Sequence, residues 1–274
     1  MCGPFGVTFT SVTLADDGFL DIGASRLEYR MIGPRPSEAP TVVMLHEGLG
    51  SLGLWGEFPM RLAEATGFGV FVYSRAGYGA SSSSPLPWPA TFMHDHARDV
   101  LPRVLDAISL RTGILLGHSD GASIATIFAG TFDDPRIRGV VLLAPHFFTE
   151  DFGIEAIART REAYETTDLR ARLARWHRDP DNAFRGWNGA WLDPGFREWD
   201  ITAELAAIRV PLLIIQGADD QYGTVRQVEV ASEVCRAPVK TVILPATRHS
   251  PHRDQLPATV AAIVDFCPPD LVGG

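Results

Sequence analysis

The chain is short of cysteine, of basic runs and of long apolar segments, and each shortage argues against a class of protein. Its three cysteines, Cys2, Cys235 and Cys267, are odd in number and widely spaced, with no Cys-x-x-Cys pair. That pattern argues against a disulfide framework and a structural zinc site, and three reduced thiols are expected. No apolar run approaches the ~18–20 residues that cross a bilayer. The N-terminal MCGPFGVTFTSVTLADDGF holds neither a basic segment nor a long apolar one, so a soluble cytoplasmic protein is expected. Net charge is −9 and no basic cluster occurs, a poor match to nucleic acid or an anionic membrane surface. A small-molecule substrate is the expected partner. The sequence is silent on oligomeric state.

Its 274 residues are 46% hydrophobic and 21% charged, enough for a large core in one domain with room for an insertion. Residues 7 to 32 hold VTFTSVTL, GFLDIG and RLEYRMIG, which alternate apolar and polar residues around Asp-Gly and Gly turns and predict an antiparallel beginning. Near-continuous Val, Ile and Leu runs follow at 41–46, 69–74, 113–118, 140–146, 210–217 and 239–245. Such runs fit strands buried on both faces of a parallel sheet. Helical patterns separate them at 55–66, 91–108, 121–132, 225–234 and 257–266. Between about 147 and 209 no strand pattern appears. That stretch is rich in Arg, Glu and Ala, contains Trp176, Trp187, Trp191 and Trp199, and predicts a helical insertion.

Gly117-His118-Ser119-Asp120-Gly121 is a G-x-S-x-G pentapeptide set between a β run and a helical run, the context of a nucleophile elbow. A sharp turn needs glycine where backbone meets backbone. It would set Ser119 at a helix N-terminus, where free N–H groups favour an oxyanion. A serine hydroxyl needs a base. Asp219 and Asp220 follow the strand ending at Gly217, and His249 follows the next strand. Acid and histidine thus lie past the C-terminal ends of parallel strands, where ligands gather in open α/β sheets. The loop after the first buried strand, His46-Glu47-Gly48-Leu49-Gly50-Ser51, offers an amide for the oxyanion: that of Gly48 first, with Glu47 second, joined by that of Asp120.

These pieces resemble the α/β-hydrolase superfamily, in its capped serine-hydrolase branch, over about residues 20 to 267. The matching strings are LHEGLGSLGLW, SRAGYGAS, GHSDGAS, IIQGADD and RHSPH. Glu47 stands where relatives usually carry Gly, and Arg248 stands where a Gly usually precedes the histidine. The resemblance implies Asp220 as the acid, being the third residue after the glycine. It spans esterases, thioesterases, lactonases, C–C bond hydrolases and peptidases, so it names no substrate.

The expected fold is therefore α/β: a mainly parallel central sheet flanked by helices, the α/β-hydrolase fold with a helical cap insertion. Residues 1–146 and 208–274 form the core and 147–207 the cap. Ser119, Asp220 and His249 are the expected catalytic residues, Gly48 and Asp120 the oxyanion donors, and Glu47, His146 and Trp187 the substrate-binding residues. No metal and no organic cofactor is implied. A carboxylic ester of small or medium size is the first expectation. A thioester, a C–C bond or a non-turnover ligand is the alternative. The tryptophans suit a lid over the serine or, equally, the cap's own core. His94-Asp95-His96 is a helix N-terminal cluster, since residues two apart on a helix point apart. His118 is expected to pack in the elbow and His252 to start the last helix. A bare charge on Glu47 or Asp120 beside the oxyanion would oppose catalysis. Bonding to loop amides is the leading way out, with pairing to Arg75 or protonation of one acid as alternatives.

Overall fold

The computed structural model describes residues 14–268 and Leu271. The first strand pattern expected, at 7–14, and the thiol of Cys2 lie outside the described residues, apart from Leu14. Eight strands form one sheet: β1 (Asp17–Ile22), β2 (Ser25–Ile32), β3 (Thr41–Leu45), β4 (Gly69–Tyr73), β5 (Gly113–His118), β6 (Ile137–Leu143), β7 (Leu212–Gly217) and β8 (Val239–Leu244). Their spatial order is β1-β2-β4-β3-β5-β6-β7-β8. The β1–β2 and β2–β4 pairs are antiparallel, and every later pair is parallel.

Alternation along the inner strands divides the core in two. Val43 and Leu45 of β3, Leu115 of β5, Leu142 of β6 and Ile214 of β7 face one cluster. Val42 and Met44, Ile114 and Leu116, Val141 and Leu143, and Leu213 and Ile215 face the other. The period-2 pleat forces this, so a strand between two layers must be apolar at every position. Each such side chain, fully withdrawn from water, contributes about 1.5–3 kcal/mol.

Helix α1 (Phe58–Thr66) covers one face. On the other, α2 (Phe92–Asp95) runs through a π turn at His96–Val100 into α3 (Leu101–Ala107), and α4 (Asp120–Thr131) follows β5. The single helix expected over 91–108 is thus interrupted. Pro102 explains it: proline has no N–H to give the carbonyl of Arg98, and its ring crowds that group. Between β6 and β7 run α5 (Asp151–Thr166), α6 (Leu169–Leu173), α7 (Pro180–Trp191) and α8 (Thr202–Ala207). The only bridge among the described residues of this segment pairs Phe148 with Asp200. The Thr149 N–H donates to the Trp199 carbonyl at 3.1 Å and the Ile201 N–H to that of Phe147 at 2.7 Å, so the chain leaves and returns through one narrow neck. Helices α9 (Arg226–Val234), α10 (Pro251–Asp254) and α11 (Leu256–Phe266) complete the chain, with α11 packing beside α1. No helix of the described residues is long and apolar enough to cross a membrane.

The chain passes from β3 to β4 on one side and then crosses to β5 on the other. This reversal opens a crevice at the C-terminal ends of β3 and β5, where loops carrying chemistry collect.

Candidate active site

Ser119 sits at that crevice, between β5 and α4, with φ 51° and ψ −118°. This is a left-handed conformation that a serine adopts only under tight constraint. Two glycines permit it. A Cβ on Gly117 would overlap the carbonyl of Gly121, and one on Gly121 would overlap that of Leu45. The Ser119 N–H donates to the Leu143 carbonyl at 3.0 Å, tying the turn to the neighbouring strand. Asp120 is the first residue of α4, so its N–H has no acceptor within the helix.

The loop after β3 is oriented by its carbonyl. Glu47 C=O accepts from Arg75 Nη2 at 3.0 Å, from the Gly50 N–H at 3.1 Å and from His46 Nδ1 at 2.7 Å. His46 Nε2 in turn accepts from the Arg75 N–H at 3.1 Å, which assigns the ring proton to Nδ1. In a planar trans peptide the C=O and the following N–H are antiparallel. The Gly48 N–H therefore points away from Arg75 and His46, and it has no hydrogen-bond partner among the described residues.

His249, in the loop after β8, has Nδ1 at 2.9 Å from both carboxylate oxygens of Asp220. Asp220 also accepts from the Tyr222 N–H at 2.8 Å, the Gly223 N–H at 3.3 Å and Gln216 Nε2 at 2.8 Å. Burial pushes this carboxyl up, but the His249 charge and hydrogen bond, with the Tyr222 N–H, outweigh it and hold it below the usual range. Asp219 is exposed, and its backbone N–H bonds the Thr247 carbonyl. Among the described residues no hydrogen bond within 3.5 Å joins Ser119 Oγ to His249. Free enzymes often leave this contact long until substrate arrives.

Ser119, Asp120, Gly48, Glu47, His146 and His249 line one cavity of about 100 Å³. Trp187 and Trp191 of α7, Ile157 of α5, Leu49 and Tyr222 complete its wall. Of the expected site residues only Asp220 stands behind the wall, on the far side of the His249 ring. Burial pushes the His146 imidazole down to about 3, so it lines the cavity as a neutral ring, 5.6 Å from that of His249. A Cβ on Gly48 would overlap the Trp187 indole, so that indole rests directly on the loop.

The two carboxylates beside the cavity do not bond loop amides, the arrangement expected first. Asp120 Oδ1 accepts from Trp191 Nε1 at 3.1 Å, and Oδ2 lies 3.8 Å from Arg75 Nη2. Burial raises the Asp120 carboxyl above its ordinary range, against the pull of Arg75 and the Trp191 N–H. Glu47 Oε2 lies 3.3 Å from His118 Nδ1. Arg75, expected as an alternative partner, does stand beside Asp120, whereas Trp191 and His118 come from distant segments and local spacing carries no sign of them. Gln216, Tyr222, Ile157 and Leu49 were likewise not singled out from the sequence. Only Gln216 had a cue, being four residues before Asp220 at a strand end. His94 approaches Glu204 at 3.6 Å, whereas His96 bonds Tyr73 Oη at 2.8 Å. His252 does not start the last helix. It is buried in the separate α10, its ring 4.8 Å from Trp55.

Comparison with known proteins gives three kinds of likeness. The model of the alpha/beta hydrolase family matches residues 42–263. A proline iminopeptidase from Lactobacillus helveticus is 32% identical over 114 residues, 42% of this chain and 38% of that protein. The match thus spans well under two-thirds of that relative. Among solved structures, a hydrolase from Pseudomonas aeruginosa has TM-score 0.71 at 23% identity, covering 93% of this chain and 99% of that one. An enol-lactonase from Burkholderia xenovorans has TM-score 0.72 at 21% identity, covering 91% and 99%.

Proposed function

The chain belongs to the alpha/beta hydrolase family, and on that premise we propose that it is a serine hydrolase cleaving a small or medium carboxylic ester through an acyl-enzyme. The observation that carries this reading is the meeting of a strained Ser119 and an Asp220-bound His249 at one cavity. The Ser119 hydroxyl attacks the ester carbonyl carbon while His249 Nε2 takes its proton. Asp220 fixes the imidazole tautomer, with the proton on Nδ1, and stabilises the imidazolium. The Gly48 and Asp120 N–H groups donate to the oxyanion. The imidazolium then protonates the departing alcohol, and water, deprotonated by the same imidazole, releases the acid.

Helices α5 to α8 serve as the cap. Trp187, Trp191 and Ile157 lie over the serine, exclude water and set the size of the acyl group. A cavity of about 100 Å³ favours short acyl chains. His146, neutral beside the base, offers substrate a ring nitrogen without adding charge. Glu47 and Trp187 border the acyl group. The likeness to an enol-lactonase supports an ester as the cleaved bond.

The test is a panel of p-nitrophenyl esters of rising acyl length, with a thioester and a vinylogous diketone, run beside a fluorophosphonate probe. Labelling at Ser119 and a preference for short esters are expected. A chain that neither labels nor turns over any member would defeat the reading and leave a ligand-binding protein. Faster cleavage of the thioester or the diketone would keep the serine and replace the ester.

A further inference from the structure

His118 ends β5, is fully buried, and has no task in the scheme above. Its Nε2 lies 2.6 Å from the backbone carbonyl oxygen of His249. A carbonyl only accepts, so Nε2 carries a proton and donates it. On the other side of the ring, Nδ1 faces Glu47 Oε2 at 3.3 Å, close but not aligned as a hydrogen bond. A bare carboxylate against a bare ring nitrogen would set lone pair against lone pair. The close approach is therefore favourable when the pair holds one further proton, and the pair has no net charge with that proton on either group. Around this ring stand His249 at 5.2 Å, His252 at 4.9 Å and Trp55 at 6.1 Å, centroid to centroid, with His46 beyond Glu47 and Arg253 beyond His252. Burial pushes the Glu47 carboxyl up, but the His118 contact and the surrounding imidazoles outweigh it and hold it well below its ordinary value.

We propose that Glu47 and His118 are positioning residues for His249: the carboxylate fixes His118, and His118 Nε2–H holds the His249 backbone. The connection ties the loop after β3 to the loop after β8. The base is then held twice, by Asp220 at its ring and by His118 at its main chain. The oxyanion loop and the histidine loop are fixed relative to each other through one buried ring. The inference rests on the reading of His249 as the base.

The experiment uses the full chain, a p-nitrophenyl ester and a fluorophosphonate probe. Glu47→Ala and His118→Ala should each lower kcat and the labelling rate about ten- to a hundredfold, as small misplacements of a base do. For His118→Ala, KM should move less than about threefold, since His118 does not line the cavity and no substrate contact is removed. Glu47→Gln should recover most of the loss, because its amide can donate to Nδ1 of a neutral ring. The double alanine variant should be no slower than the slower single one, since both act through one contact. Nitrogen-15 histidine NMR of the unmodified chain should find His118 protonated on Nε2, with a downfield N–H proton. This readout needs no variant to fold. Alanine variants at the parent rate, a Gln variant as slow as the Ala variant, additive losses, or an Nε2 without a proton would each overturn the proposal. A parent chain that fails to label removes the serine-hydrolase reading and this inference with it. A parent that labels while the variants match it removes the inference alone.

Discussion

Trp191 Nε1 donates to Asp120 Oδ1 across 3.1 Å, joining α7 to the first residue of α4. The carboxylate belongs to the residue after the proposed nucleophile, and the indole to the segment above the cavity. The other oxygen, Oδ2, is buried and, among the described residues, has no hydrogen-bond partner, with Arg75 Nη2 at 3.8 Å.

Trp191→Phe keeps the ring and removes the donor. A buried carboxylate losing a hydrogen bond destabilises a protein by about 1–3 kcal/mol. Urea unfolding should show a loss of that size, with KM rising as α7 loosens. An unchanged unfolding midpoint would mean that this hydrogen bond contributes nothing.

Ser119→Ala should lower kcat by about four to six orders of magnitude while leaving circular dichroism and the melting temperature near those of the parent. Ser119→Thr should fold worse than Ser119→Ala, because a β-branched side chain adds strain at φ 51°. Ester turnover of the alanine variant within tenfold of the parent would end the assignment.

Asp220→Asn should cost about 10³–10⁴ in kcat, since an amide can present its N–H to Nδ1 and force the wrong tautomer. Asp219→Asn should cost less than about threefold, its side chain being exposed. Steady-state kinetics on the same ester decides between them; equal losses would refute the assignment of the acid.

Burial depresses the imidazoles of His46, His96, His146, His177 and His252 below the ordinary histidine value. As pH falls through that value, 6.5, the unfolded chain takes up protons on these rings and the folded chain does not. Stability is thus complete above about 6.5 and falls as pH drops toward about 3, where His146 titrates in the folded chain. Each ring contributes roughly 1.4 kcal/mol per pH unit inside its window. Asp220, depressed below the usual carboxylate range, adds to the loss at the acidic end. Thermal melts should show a steep decline below neutral pH. A flat melting temperature down to about pH 5 would contradict it.

Trp187→Ala should move preference toward longer acyl chains, since its indole closes the cavity over Gly48. Relative kcat/KM across p-nitrophenyl acetate, butyrate and octanoate reads this directly. An unchanged ranking together with a lower melting temperature would make Trp187 a packing residue only.

The parallel strands were legible in the sequence because each must satisfy two layers at once, which leaves runs such as Val42–Leu45 without a polar position. The glycines around Ser119 were legible for the same kind of reason: a Cβ at 117 would meet the Gly121 carbonyl and one at 121 the Leu45 carbonyl, so only one residue type fits at either place. Of the partners of Glu47 and Asp120, Arg75 was legible among the alternatives, but the other two were not. His118 and Trp191 are each 71 residues from the carboxylate they meet, so no local pattern links them. Helical spacing over 91–108 hid the π turn, although Pro102 was a visible reason to expect a break.

The neck at Phe147–Thr149 and Trp199–Ile201 gives the molecule a detachable roof. A segment that departs and returns through one short crossing can be lengthened, trimmed or exchanged without moving any strand register. The entropy of closing such a loop grows only with the logarithm of its length, about 0.6 kcal/mol per doubling. The sheet end that carries Ser119, Asp220 and His249 meets this roof through few side chains, Trp191 on Asp120 and Trp187 on the Gly48 loop among them. A segment grafted between β6 and β7 therefore has to keep an indole or another donor at the Trp191 position if Asp120 is to stay bonded.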